Sequence, residues 1–226
     1  VYISFSSLSK FFAPTLEVAE QILLQPLFPE DELRAYCEKR KQALTIERRK
    51  VDTVVREIFA EALFGDKHPY GISYPEKNYD TLTRADLESL YRRLYTAENC
   101  LVVCSGRIGE EELQGIGALA EKLPRADRSA TAEFPAPRSE AYRFVERPDA
   151  VQSSLRVGRL LFTRTHPDFV GMQVVATVLG GYFGSRLMQN LRGEHGYTYG
   201  VGAAMVNFER EGYLCLLYTS PSPRDS

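Results

Sequence analysis

The stretch from Pro124 to Ser139 most constrains what this chain can become, because it holds Pro124, Pro135, Pro137, Ser129, Ser139 and several alanines. Proline fixes φ and removes a backbone donor, so such a segment suits a linker better than a helix or a ladder. It divides the sequence into two parts, each with its own helical and strand-like patterns. A first unit is expected over residues 1–128, a linker over 129–141 and a second unit over 142–217. The 226 residues allow one large domain or two small ones with a real core.

In the first unit, residues 2–8 alternate as a strand would. Leu16, Ala19, Ile22 and Leu23 then recur at helical spacing, until Pro26 to Pro29 interrupts them. Glu30 and Asp31 suit a helix N-terminus, and the periodicity of Leu33, Cys37, Leu44, Val51, Val55, Ile58 and Ala62 predicts one long helix ending at Gly65. Residues 66–80 read as a loop. Thr83 and Asp86 have capping-box spacing ahead of a helix to about Tyr95. Cys100 to Cys104 reads as a buried strand with both cysteines on one face, followed by a helix from Glu110 to Leu123.

In the second unit, Tyr142 to Glu146 and Val151 to Phe162 read as strands, and Phe169 to Leu179 and Ser185 to Arg192 as helices. Tyr197 to Phe208 and Tyr213 to Leu217 form a hairpin. Hairpin-like neighbours outnumber βαβ repeats, so the fold class is α+β, two similar units of mainly antiparallel sheet packed with helices. The chain starts at Val1 rather than Met, and the second unit stops abruptly, so both units are expected to be truncated at their outer ends. Residues 218–226 change character after a strand and are expected to be a tail foreign to the fold.

Lys plus Arg is 28 and Asp plus Glu is 30, a formal charge of −2, which gives no general attraction to nucleic acid or anionic lipid. The basic triplets Lys39 to Lys41 and Arg48 to Lys50 are interspersed with acids and read as a solvated helix face. No apolar run has the length of a membrane span. Cys37, Cys100, Cys104 and Cys215 lack disulfide-scaffold spacing and are expected as free thiols, favouring a reducing compartment and the cytoplasm over the periplasm.

No His-Glu-x-x-His pair announces a metal, and His68, His166 and His195 lie far apart, the first two before a residue of turn character, proline. Gly184-Ser185-Arg186 lacks the rest of a nucleophile elbow, and Gly180-Gly181-Tyr182-Phe183-Gly184 lacks the Lys and Ser/Thr of a phosphate loop. More informative is the run from Gly184 to Gly200, where Arg192 closes a short helix and Tyr199 opens a strand across Gly196. Arg supplies a fork of donors and Tyr a neutral hydroxyl, a pair suited to a peptide carbonyl or oxyanion. On spacing alone, the reading in which Arg192 caps its helix and Tyr199 packs in a sheet comes first.

Several segments together resemble the pitrilysin/insulinase family of zinc metallopeptidases, which includes mitochondrial processing peptidase and its zinc-less relatives. They are Pro26-Leu-Phe-Pro29, Leu63-Phe-Gly-Asp-Lys-His-Pro-Tyr-Gly71, Leu82 to Leu87 with Tyr95 to Asn99, and Gly180 to Leu187 with Leu191, Arg192 and Gly196 to Tyr199. The resemblance implies two α+β units facing each other around an unfolded peptide substrate, with Arg192 and Tyr199 as the substrate-binding pair. The family's inverted zinc motif, His-x-x-Glu-His, is not in this chain. Its distal glutamate aligns near Glu47, with Thr45 and Ile46 competing for the position, so Glu47 is a candidate and no zinc ligand is carried over.

The resemblance therefore implies a non-catalytic, zinc-less subunit, inactive alone, that supplies the Arg/Tyr half of a site to a homologous zinc-bearing partner. Zinc is expected in that partner or in a segment preceding Val1. The alternatives are a fragment of a complete zinc metalloendopeptidase and a purely structural or peptide-binding homologue.

Overall fold

The computed structural model describes residues 1–127 and 133–219. They gather into two compact units, one from Val1–Lys41 with Glu76–Glu133 and one from Gln42–Pro75 with the chain from Phe134 onward. The sequence division at 129–141 instead keeps residues 42–75 with the first unit. No helix of the described residues is long and apolar enough to cross a membrane.

The first unit is helical. Helix α1 (Phe12–Leu24) carries Pro14 in its first turn, where the missing N–H has no intrahelical role, and α2 (Glu30–Glu47) opens on three acids that complement its dipole. After the single turn α4 (Lys77–Asp80), helix α5 (Arg84–Leu94) starts on the predicted capping box. Asp86 N–H donates to the Thr83 hydroxyl, and Thr83 N–H donates to the Asp86 carboxylate at 2.9 Å. Helix α6 (Glu110–Glu121) packs on α1, and Ala19, Cys37, Leu119 and Leu123 are buried. Tyr91 on α5 donates its hydroxyl to the Leu23 carbonyl at 2.6 Å, closing the end of α1.

Two expected strands are absent from this unit. Residues 2–7 and 100–104 have no ladder partner among the described residues, and Leu101 is 87% exposed. Cys100 and Cys104 are exposed rather than buried on one face. Apolar, β-branched composition marks fitness for a sheet, but only a neighbouring strand makes one.

The second unit takes up the chain at Gln42, within α2, and contains the point where the predicted long helix breaks. Helix α3 (Val51–Phe64) is separate from α2 because Arg48, Arg49 and Lys50 form a turn, with Arg49 and Lys50 N–H groups donating to carbonyls three residues back. The turn lets Arg48 donate to the Glu57 carboxylate at 3.2 Å and to the Tyr74 carbonyl at 3.0 Å. Helix α3 ends at Gly65 as expected.

The sheet of this unit is antiparallel, in the order β1 (Ser154–Leu161), β3 (Gly212–Thr219), β2 (Gly200–Asn207), with β2 and β3 the predicted hairpin. Tyr218 and Thr219 continue β3 beyond Leu217, Thr219 pairing with both Ser154 and Gly200. The rest of the expected tail, 220–226, lies outside the described residues. Directly paired residues share a face, so Gly158, Cys215 and Tyr213 point one way and Ala203 with Leu216 the other. Phe59 of α3 packs against Tyr213 on the first face, its ring centroid 5.6 Å away. Helix α7 (Phe169–Ala176) and the π-helical turn Thr177–Gly181 cover the second, over Val201 and Ala203.

Residues 129–132 of the predicted linker lie outside the described residues. The remainder carries no regular structure but is tied to α3: Arg138 N–H donates to the Phe64 carbonyl and Glu140 N–H to the Ala62 carbonyl. These are carbonyls that a helix end leaves open. The expected strand at 142–146 is exposed and likewise has no ladder partner among the described residues.

Candidate functional site

The π-helical turn, the helical segment Met188–Glu194 and the entry to β2 make one patch of the second unit. Gly180 lies against β2 so closely that a Cβ there would meet Ala203 N at 2.5 Å, which fixes the helical layer on the strand. The following turn, in which Ser185 N–H donates to the Tyr182 carbonyl at 3.0 Å, carries Phe183. The segment Met188–Glu194 carries Arg192 and gives way to a turn at Gly196, whose φ of +65° is open to glycine.

That turn is held from both sides. Tyr197 N–H donates to the Leu191 carbonyl at 2.9 Å, and the Tyr218 hydroxyl donates to the Tyr197 carbonyl at 2.7 Å. Thr198 is buried. Its Oγ1 accepts from Gly200 N–H at 3.0 Å and reaches the carbonyls of Gly200 and Thr219. Burying Thr198 sends its neighbour Tyr199 outward, 81% exposed, one residue before β2 begins.

Arg192 and Tyr199 are thereby brought together. The guanidinium carbon of Arg192 lies 4.9 Å from the Tyr199 ring centroid and 5.1 Å from that of Phe183, both within cation–π range. Arg192 is half-buried. Among the described residues it has no hydrogen-bond acceptor or ion-pair partner, and the Tyr199 hydroxyl has none either. Glu194, the nearest acid in sequence, accepts instead from the Asn190 amide at 3.0 Å. Five guanidinium donors and one phenol donor are thus unclaimed in one exposed patch.

Phe183 and Thr198 were not expected from the sequence as parts of this patch. The alternation Tyr197, Thr198, Tyr199 signals that Thr198 faces inward if both tyrosines face out. Phe183 carries no such signal, because its place depends on how the Gly180 turn meets β2.

The other candidates fall elsewhere. His68 is 1% exposed, set among Phe64, Tyr70 and Phe134, and its Nδ1 accepts from Tyr70 N–H at 3.2 Å. It packs a turn, but inside the core rather than at the surface. His166 stacks on Phe162 and His195 on Tyr197. Glu47 is the last residue of α2. Among the described residues, no three His, Cys, Asp or Glu side chains converge as a metal ion requires. The zinc that the resemblance implies does not fit these residues.

The comparisons agree with this architecture. The sequence pattern described as "Peptidase M16 inactive domain" matches residues 81–224. An uncharacterized zinc protease of Mycobacterium tuberculosis is 30% identical over 172 residues, 72% of this chain and 38% of that protein. A probable mitochondrial-processing peptidase subunit beta of Schizosaccharomyces pombe is 26% identical over 161 residues, 64% of this chain and 34% of that protein. Among solved structures, the peptidase M16 inactive domain from Pseudomonas fluorescens superposes with a TM-score of 0.81 at 23% identity, covering 94% of this chain and 52% of that one. A protease from Helicobacter pylori gives 0.78 at 15% identity, covering 96% and 54%.

The two superposed structures share the fold of this chain, helices on a small antiparallel sheet. The chain belongs to the M16 peptidase family and matches its inactive domain. It spans 38% of the length of the mycobacterial relative.

Proposed function

We propose that this chain is the non-catalytic half of a zinc peptidase, in which Arg192 and Tyr199 grip the backbone of an extended, unfolded peptide. The observation that carries this reading is the half-buried Arg192 guanidinium, set against two rings with its donors unclaimed beside the Tyr199 hydroxyl. A cation held without an acceptor is ready for one, and a peptide carbonyl or the oxyanion formed from it accepts in the plane of the fork. Hydrolysis is assigned to a homologous, zinc-bearing half. This chain's residues bind and orient.

The leading form is a separate subunit paired with its zinc-bearing homologue. The second form, one longer zinc metalloendopeptidase chain containing both halves, is supported by the mycobacterial relative. That protein is named a zinc protease, and this chain covers 38% of it.

The grip is tested by fluorescence anisotropy with a fluorescein-labelled, unstructured alanine-serine peptide. Arg192→Ala is expected to weaken binding about ten-fold, the value of one charge-assisted contact of about 1.4 kcal/mol. Tyr199→Phe is expected to weaken it less. Unchanged affinity in Arg192→Ala would instead favour a purely structural homologue. The parent gene decides between the two forms: His-x-x-Glu-His in the same reading frame makes one chain, and in a neighbouring gene makes two.

A further inference from the structure

Arg192 lacks what ordinarily fixes a guanidinium. Among the described residues no carboxylate pairs with it, and the acid nearest in sequence is occupied by Asn190. What lies against it is two aromatic rings, Tyr199 at 4.9 Å and Phe183 at 5.1 Å. Phe183 is 76% exposed, so its ring meets Arg192 at the surface and not within a core. Its turn is nonetheless anchored, by the Ser185 N–H bond to the Tyr182 carbonyl and by Gly180 against Ala203. Tyr199 stands at the entry to the same strand, so both rings and the cation share one rigid base.

A carboxylate in place of Phe183 would hold Arg192 more strongly but would occupy its donors and neutralise its charge. A ring attracts the charge through its face and takes no N–H group. We propose that Phe183 is a positioning residue for Arg192, its ring completing with Tyr199 an aromatic seat that fixes the guanidinium while leaving its donors open to a peptide carbonyl. This rests on the grip reading above.

The test combines two readouts on the full 226-residue chain. In Phe183→Leu, which keeps apolar bulk and loses the ring, the Arg192 Nε–H resonance is expected to move as the ring current disappears. Affinity for the labelled alanine-serine peptide is expected to fall about five-fold. Phe183→Trp is expected to restore affinity. In an Arg192→Ala background, Phe183→Leu is expected to change affinity no further, because its whole effect passes through the guanidinium.

An unmoved resonance in Phe183→Leu overturns the proposal, as does an equal loss in the Arg192→Ala background. If Arg192→Ala alone binds peptide like the parent, the grip reading falls. The resonance then still decides whether Phe183 seats the cation.

Discussion

Burial pushes the Cys215 thiol above its ordinary range, with Arg156 opposing it less strongly. In the unfolded chain the thiol ionises near the ordinary value of about 8.5. The stability that its neutral form contributes is therefore complete below that pH and is lost as pH rises toward the folded value. Tyr213, raised chiefly by the same burial, acts in the same direction at higher pH. The urea midpoint is expected to fall between about pH 7.5 and about pH 9.5, and to fall less in Cys215→Ala. Equal falls in both proteins would remove Cys215 from the account. Residue chemistry of this kind was only half legible in the sequence. Arg192 and Tyr199 stood out by residue type and through the family resemblance, whereas Phe183 and Thr198 owe their places to the contact of a helix turn with β2. His68 looked like a loop histidine because the rings around it come from segments distant in sequence, Phe134 among them.

Elements were most legible where local chemistry decides them. The capping box of α5 followed from Thr83 and Asp86 alone, and the Thr83 bonds hold the Asp86 carboxyl below the usual carboxylate range. Its contribution is present above that range and is lost as the pH falls through the lowered value. Thr83→Ala is expected to cost about 1 kcal/mol in urea unfolding at neutral pH. Gly180→Ala should cost more, about 1–3 kcal/mol, because its Cβ would meet Ala203 N at 2.5 Å and Ala203 Cβ at 2.7 Å. Gly117→Ala makes the control. A Cβ there meets nothing within 4 Å in α6, so the exchange is expected to stabilise by about 0.5–1 kcal/mol. If the two glycine exchanges behave alike, the close approach does not fix the helical layer on β2. Strands were less legible for the opposite reason. Val151 to Phe162 became β1 because β3 lies beside it, while Cys100 to Cys104 has the composition without the neighbour. The α2–α3 break was hidden because both helices keep one apolar period across Arg48 to Lys50, while the Arg48 bonds to Glu57 and Tyr74 that accompany the turn join residues distant in sequence.

At the scale of the whole molecule, the α+β architecture and the family followed from motifs spread over both halves, but the chemistry does not follow from the family alone. A zinc centre needs three or four donors at about 2.0–2.3 Å from one point, with neutral imidazole or ionised thiol and carboxylate. The described residues place His68 in an aromatic core, His166 on Phe162, His195 on Tyr197, and the Cys37 and Cys215 thiols in buried positions. The exposed pair Cys100 and Cys104 could supply two thiolates and no more. Calorimetric titration of the reduced, metal-free chain with zinc at neutral pH is therefore expected to show no stoichiometric site tighter than about 1 μM. What heat appears should vanish when the exposed thiols are alkylated, and peptide affinity should be indifferent to added zinc. A tight, alkylation-resistant site would mean that this chain builds a metal centre of its own. The division of labour between a zinc-bearing half and a gripping half would then have to be abandoned.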